Sequence, residues 1–204
     1  MKIVTVSREF GSGGRELGKR LADELGFAYY DREIISAIAE DTELNEAYIT
    51  GVLENGLSAY NITFGATFSA ASVISQNTVD ILIAQQRIMK ELASKGDCVI
   101  VGRSADVILE KYKPFNIFVY ADQASKIARC RAREDGEQMS DKMLIKKIRK
   151  IDKNRSKLHS MVTHSRWGDK VAYHLMINTS GLKIKDIVPT TAALANAWFD
   201  STKK

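Results

Sequence analysis

Little in this 204-residue chain is suited to cross-linking or to holding a metal. It has two cysteines, Cys98 and Cys130, and three scattered histidines, none at metal-ligand spacing. A structural metal site is therefore not expected, and both thiols read as buried or inert in a reducing cytoplasm. No apolar run approaches the length of a membrane span, and the opening Met1-Lys2-Ile3-Val4-Thr5-Val6-Ser7 is too short in apolar residues for a signal peptide. The expectation is a soluble, cytoplasmic protein with no membrane partner. Internal repeats and low-complexity tracts are absent too. With 45% hydrophobic residues the chain can bury one sizeable core, so a single domain over 1–204 is the default. Basic residues are nowhere concentrated: the net charge is +5 and the pI about 9.1, but the lysines and arginines are spread along the chain. That balance suits an anionic ligand and disfavours nucleic acid.

What the chain does have begins at once. Residues 3–16, Ile-Val-Thr-Val-Ser-Arg-Glu-Phe-Gly-Ser-Gly-Gly-Arg-Glu, run from a short apolar strand through a glycine-rich turn into an amphipathic helix. Gly11, Gly13 and Gly14 let successive backbone N–H groups turn toward one point, and the helix adds the positive end of its dipole, so the main chain can hold a phosphate. Three glycines can also serve only to make a tight turn. A phosphate loop ordinarily carries a lysine and a Ser/Thr here, but those places read Gly14 and Arg15, followed by Glu16. The cradle is present while its customary cation and metal ligand are missing. Gly13-x-x-x-x-Gly18-Lys19 matches the letters of such a loop but lies inside the helix, and the G-x-G-x-x-G pattern fails at Glu16, which disfavours a dinucleotide-binding domain.

Apolar, β-branched runs recur at 3–6, 98–101 and 115–120, with weaker ones at 27–30 and 174–178, and helical patterns separate them. Short continuous strands alternating with helices argue for a parallel sheet buried on both faces. The first helix is predicted over 14–25, with Leu17, Leu21 and Leu25 four apart and Gly26 as its stop. Asp31 reads as the N-cap of the next. Residues 41–69 break the alternation with short pieces carrying Tyr48, Tyr60, Phe64 and Phe68, an insertion suited to a flap over a ligand. Long helices are predicted over 70–95, 140–164 and 183–199.

Three groups of side chains could carry chemistry. Arg103 directly follows the apolar strand 98–101, where an open parallel sheet binds its ligands, and Ser104 and Asp106 stand beside it. Arg129, Arg131 and Arg133 precede Glu134-Asp135-Gly136-Glu137, which reads either as a lid over about 129–140 closing on a transferring phosphate or as a solvated helix end. Arg149, Asp152, Arg155 and His159 are spaced three, three and four apart, on one side of a helix. They could grip phosphates or merely pair with one another.

With these pieces in order, the chain resembles the cytidylate-kinase-like family of P-loop proteins. "IVTVSREFGSGGRELGKRLADELGFAYYD" at 3–31 is similar to that family's opening, "VIVGRSADVIL" at 99–109 to its Gly-Arg-Asp segment, and "IRKIDKNRSK" followed by "MINTSGL" to its Arg…Asp-x-x-Arg helix and final strand. The resemblance implies an α/β P-loop NTPase fold: a parallel five-stranded sheet flanked by helices, with a helical acceptor-binding insertion at about 41–72 and a lid. It implies an ATP-dependent, Mg²⁺-assisted phosphotransferase acting on a nucleoside monophosphate or a related small acceptor. Gly11, Ser12, Gly13, Gly14, Arg15 and Glu16 would hold the nucleotide, with Ser12 or Glu16 helping to place Mg²⁺. Arg15, Arg129 and Arg133 would act on the transferring group, and Asp31, Arg32, Arg103, Asp106, Arg149, Asp152 and Arg155 would face the acceptor. The departures are Gly14, Arg15 and Glu16 in the loop, Ser104 where the family has aspartate, and Arg149 one residue out of register. The rival reading is a non-catalytic nucleotide- or phosphate-binding module on the same scaffold; a basic nucleic-acid binder is a weaker third. A homodimer is compatible with the sequence.

Overall fold

The five apolar runs pair side by side as one sheet, every neighbour parallel. The strands are β1 (Ile3–Arg8), β2 (Ala28–Tyr30), β3 (Cys98–Val101), β4 (Phe115–Tyr120) and β5 (Leu175–Asn178), in the order β2-β3-β1-β4-β5. The helices are α1 (Gly14–Leu25), α2 (Glu33–Thr42), α3 (Glu46–Thr50), α4 (Gln76–Ser94), α5 (Ala105–Ile108), α6 (Gln123–Arg131), α7 (Asp141–Val162) and α8 (Ile184–Ser201). This is a computed structural model that describes residues 1–55, 76–132 and 139–202. Tyr60, Phe64, Phe68, Arg133, most of the predicted insertion and half of the predicted lid lie outside the described residues. Among the described residues no helix is long and apolar enough to cross a membrane.

The alternation of side chains along each strand divides the core into two layers. Cys98 and Ile100 join Ile34, Ile38, Ile81 and Met89 on the face covered by α2 and α4. Val99 and Val101 join Leu17, Leu21, Val188 and Ala195 on the face covered by α1 and α8. Burying each such leucine or isoleucine contributes about 1.5–3 kcal/mol. Strand β1, buried throughout, lies between β3 and β4, so its carboxyl end opens where the ends of three strands meet. In an open parallel sheet that is where a ligand sits.

The first helix matches its prediction at both ends, stopping at Gly26 in the left-handed conformation with φ 67°. It comes unusually close to the sheet at Gly18, where an added Cβ would lie 2.5 Å from Val101 Cγ2. Gly18→Val is therefore expected to lower stability by about 1–3 kcal/mol through overpacking. Denaturant unfolding with an unchanged midpoint would count against this packing. The second helix departs from its prediction: its N-cap is Arg32, without a side-chain bond, and the Asp31 N–H donates to Glu33 Oε2 at 3.0 Å. The Asp31 carboxylate, released from capping, turns instead to two arginines.

Candidate functional site

Leaving β1, the chain passes Glu9 and Phe10 into the glycine turn. Gly11 and Gly13 have φ of +78° and +86°, which side chains resist, and α1 starts at Gly14. Its first intrahelical bond runs from Leu17 N–H to Gly13 C=O at 2.9 Å. The N–H groups before it point along the axis toward the cavity above the loop, with the helix dipole behind them. Arg8, Gly11, Gly13, Gly14 and Arg15 line that cavity.

Neighbouring elements grip the loop from outside. The wholly buried Ser12 donates its hydroxyl to Glu9 C=O at 2.8 Å and accepts the Thr179 hydroxyl at its own carbonyl at 2.6 Å. Arg129 donates to Thr179 C=O at 2.6 Å, Leu182 C=O at 3.1 Å and Gly11 C=O at 3.5 Å, tying α6 and the turn after β5 to the back of the loop. Lys126 Nζ meets Glu9 Oε2 at 2.5 Å and Asp152 Oδ2 at 3.7 Å. Asp152 accepts the Phe10 N–H at 2.7 Å, and Arg155 donates to Arg8 C=O at 3.1 Å with its guanidinium over the Phe10 ring.

Burial, opposed by the Phe10 N–H and Lys126, holds the Asp152 carboxyl above the usual carboxylate range. A carboxyl whose folded pKa is raised contributes stability below its unfolded pKa, and that contribution is lost as pH rises through the folded value. Asp152→Asn keeps an acceptor for Phe10 without the charge. Relative to that variant, the wild type is expected to lose stability as pH rises past the ordinary carboxylate range, read as urea midpoints across pH. A difference that stays flat with pH would refute it. Asp152→Ala removes the acceptor and should cost about 1–3 kcal/mol.

A second cavity opens at the end of β3, where Gly102, Arg103 and Ser104 take successive φ values of 74°, 62° and 54°. Two non-glycine residues in the left-handed region store strain of about 1–3 kcal/mol each, and such strain gathers where a side chain must be aimed. Arg8, Arg103, Arg155 and Gln85 bring polar groups to this cavity, and Leu53, Leu82 and Trp167 an apolar wall. The Gln85 amide donates to Arg103 C=O at 3.2 Å, while its buried Oε1 has no hydrogen-bond partner among the described residues. Behind it Asp106 accepts from Ser7 at 3.5 Å and lies 3.2 Å from His159 Nε2, both side chains buried. Burial and Asp106 together push the Tyr173 phenol upward.

The residues singled out in the sequence thus separate. Gly11, Gly13, Gly14, Arg15 and Arg155 line the loop cavity, and Arg103 and Arg155 the second. Asp31 binds Arg15 Nε at 2.6 Å, and both open with Arg32 onto a shallow rim beside Tyr29, whose hydroxyl is pushed up to about 12 by burial and then by Asp31. Asp106 lies beneath the second cavity, Asp152 behind the loop. Arg149 opens onto a separate hollow with Gln123 and Lys126. Glu16 is half-exposed and pairs with Arg20 at 2.8 Å. Neither Ser12 nor Glu16 lines the loop cavity, and in this arrangement the two do not fit a direct Mg²⁺ site. Among the described residues no group of three or more His, Cys, Asp or Glu could hold a metal. Arg8, Glu9, Gln85 and Lys126 were not legible as site residues. The one signal for Arg8 was its place at the strand end immediately before the glycines.

The model of the "Cytidylate kinase-like family" matches residues 3–181. No curated protein matches the chain. Among solved structures, an uncharacterized protein from Eubacterium ventriosum ATCC 27560 shares 24% identity over 96% of this chain and 99% of its own, with a TM-score of 0.70. Shikimate kinase from Acinetobacter baumannii, in complex with shikimate, is 15% identical over 100% and 96%, with a TM-score of 0.54. A gluconokinase from Sinorhizobium meliloti 1021 is 15% identical over 98% and 97%, with a TM-score of 0.53. At these identities the likeness is one of fold, and the fold is that of P-loop kinases.

Proposed function

The chain belongs to the cytidylate kinase-like family, and from that premise we propose that it transfers the γ-phosphoryl of ATP to a nucleoside monophosphate, cytidylate-like, or to a related small acceptor. The observation that carries this reading is the meeting of two cavities, one over the glycine loop and one at the end of β3, which share Arg8 and Arg155. Phosphoryl transfer asks for two ligands held in line and for neutralised charge more than for covalent help from the protein.

In this reading the backbone of Gly11–Gly14 cradles the donor's phosphates. The guanidinium forks of Arg103 and Arg155 take an anionic group on the acceptor. Leu53, Leu82 and Trp167 exclude water from its apolar part. Mg²⁺, when bound with the nucleotide, would supply charge neutralisation; neither Ser12 nor Glu16 lines the loop cavity to hold it, so no role for this chain is assigned through it.

Release of ADP with ATP and Mg²⁺, across a panel of nucleoside monophosphates and small alcohols, tests the proposal. ADP release that depends on one acceptor is the expected result. The rival, a non-catalytic binding module, is favoured by the glycine at the loop's lysine position and by the placement of Ser12 and Glu16 away from the loop cavity. ATP binding without transfer to any member of the panel would decide for it.

A further inference from the structure

The loop lysine is replaced by Gly14, and the structure shows what fills the space. A Cβ added at Gly14 would lie 2.5 Å from Arg8 Cβ and 3.0 Å from its Cγ. One added at Gly102 would lie 1.4 Å from Arg8 Nη1 and 2.5 Å from its Cζ. The Arg8 side chain therefore runs from the first turn of α1 to the turn after β3, its stem over one glycine and its guanidinium over the other. No side chain at either position, a lysine included, could coexist with this placement.

We infer that Arg8 holds the place of the missing lysine: it is the fixed cation between the donor's phosphates and the acceptor, and Gly14 and Gly102 lack side chains to make room for it. This rests on the phosphotransferase reading above. Two further observations support it. The Arg8 side chain is only 8% exposed, yet it lines both cavities. A cation so withdrawn from water acts more strongly on a phosphate than one on the surface. Its backbone is held on two sides, by the register of β1 with Val119 of β4 and by Arg155 on its carbonyl, so the guanidinium is aimed from a rigid strand.

Counter-charge also assigns the two arginines near the loop different parts. Asp31 is buried and shared between them, with Oδ2 2.6 Å from Arg15 Nε and Oδ1 3.7 Å from Arg8 Nη2. The Arg15 side chain is 42% exposed, so the arginine with the shorter bond to Asp31 is also the better solvated one. A planar fork reaching in from the strand can bond two phosphate oxygens at once, which an ammonium on the helix cannot. Arg15 then acts through Asp31, positioning Arg8 rather than meeting phosphate itself.

Gly14→Ala tests this without removing any charge. Gly14 is the first helical residue with an ordinary backbone, so alanine suits it in every respect except the contact with Arg8 and a lesser one, 3.3 Å, with Val119 Cβ. ATP binding is measured by calorimetry, which needs no turnover, with adenosine as the phosphate-free control and circular dichroism for the fold. Gly14→Ala and Arg8→Ala are each expected to weaken ATP by roughly tenfold or more and to leave adenosine unchanged. Arg8→Lys should recover part of the loss, and Arg15→Ala should cost less than Arg8→Ala. If Arg8→Ala does not fold, Gly14→Ala and Arg8→Lys carry the test. Wild-type ATP affinity in the folded variants overturns the assignment to Arg8, whatever the enzyme transfers. Loss of ATP affinity in them while the wild type phosphorylates no acceptor upholds Arg8 and overturns the phosphotransferase reading alone.

Discussion

Gly13→Val is expected to abolish ATP binding while leaving the secondary structure intact. Gly13 sits at φ 86°, ψ 2°, a conformation that a β-branched residue adopts only under strain. Its added Cβ would lie 2.5 Å from Ile184 Cδ1 and 2.8 Å from Cγ1. Both conflicts are relieved by moving the loop, and the loop's N–H groups are what the phosphates would meet. A shift of about 1 Å in such groups costs roughly a hundredfold. Ile184→Ala in the same chain removes the collision but not the φ conflict, so it should not restore ATP affinity. A folded Gly13→Val protein that binds ATP like the wild type would show that the loop is only a turn.

The second large effect is expected at Arg103. Arg103→Ala should raise the acceptor's KM by roughly a hundredfold or more, or end turnover, with ATP affinity little changed; the scale is that of losing a bidentate, charge-assisted contact. Arg103 stands at the end of β3, in the cavity away from the glycine loop. Its φ of 62° makes the choice of variant informative. Arg103→Gly loses the same guanidinium but relaxes the backbone, so it should match the alanine variant in KM and exceed it in stability. Lost ATP binding with normal acceptor kinetics would assign Arg103 to the donor instead.

The two effects fall at points of unequal legibility. The glycine loop was readable because its signal is local: a strand, three glycines and a helix within fourteen consecutive residues, 3–16. The place of Arg103 at the cavity beyond β3 was readable from its position after an apolar strand. Neither the left-handed turn that aims it nor the Gln85 amide that binds its carbonyl from α4 leaves a mark in the neighbouring sequence.

The run Arg149, Asp152, Arg155 and His159 shows where such reading stops. Helical spacing places the four on one side, and α7 does form over Asp141–Val162. Ten residues of helix, however, rise about 15 Å, more than one small site spans. Neighbours along the helix therefore pair up while the ends part: Arg149 and Asp152 share the hollow beside Lys126, Asp152 also accepts the Phe10 N–H and lies 3.8 Å from Arg155, and Arg155 and His159 line the second cavity, bound to the carbonyl of Arg8 and to the buried Asp106.

Periodicity and turn chemistry, which act within a few residues, determined by themselves the parallel α/β class, the five strand positions, the ends of α1 and the glycine turn between β1 and α1. Only the tertiary structure decided which side chain fills the space above that turn. Arg8 looks in the sequence like the tail of a strand. It comes to line both cavities because two glycines, six and ninety-four residues away along the chain, leave room for its side chain.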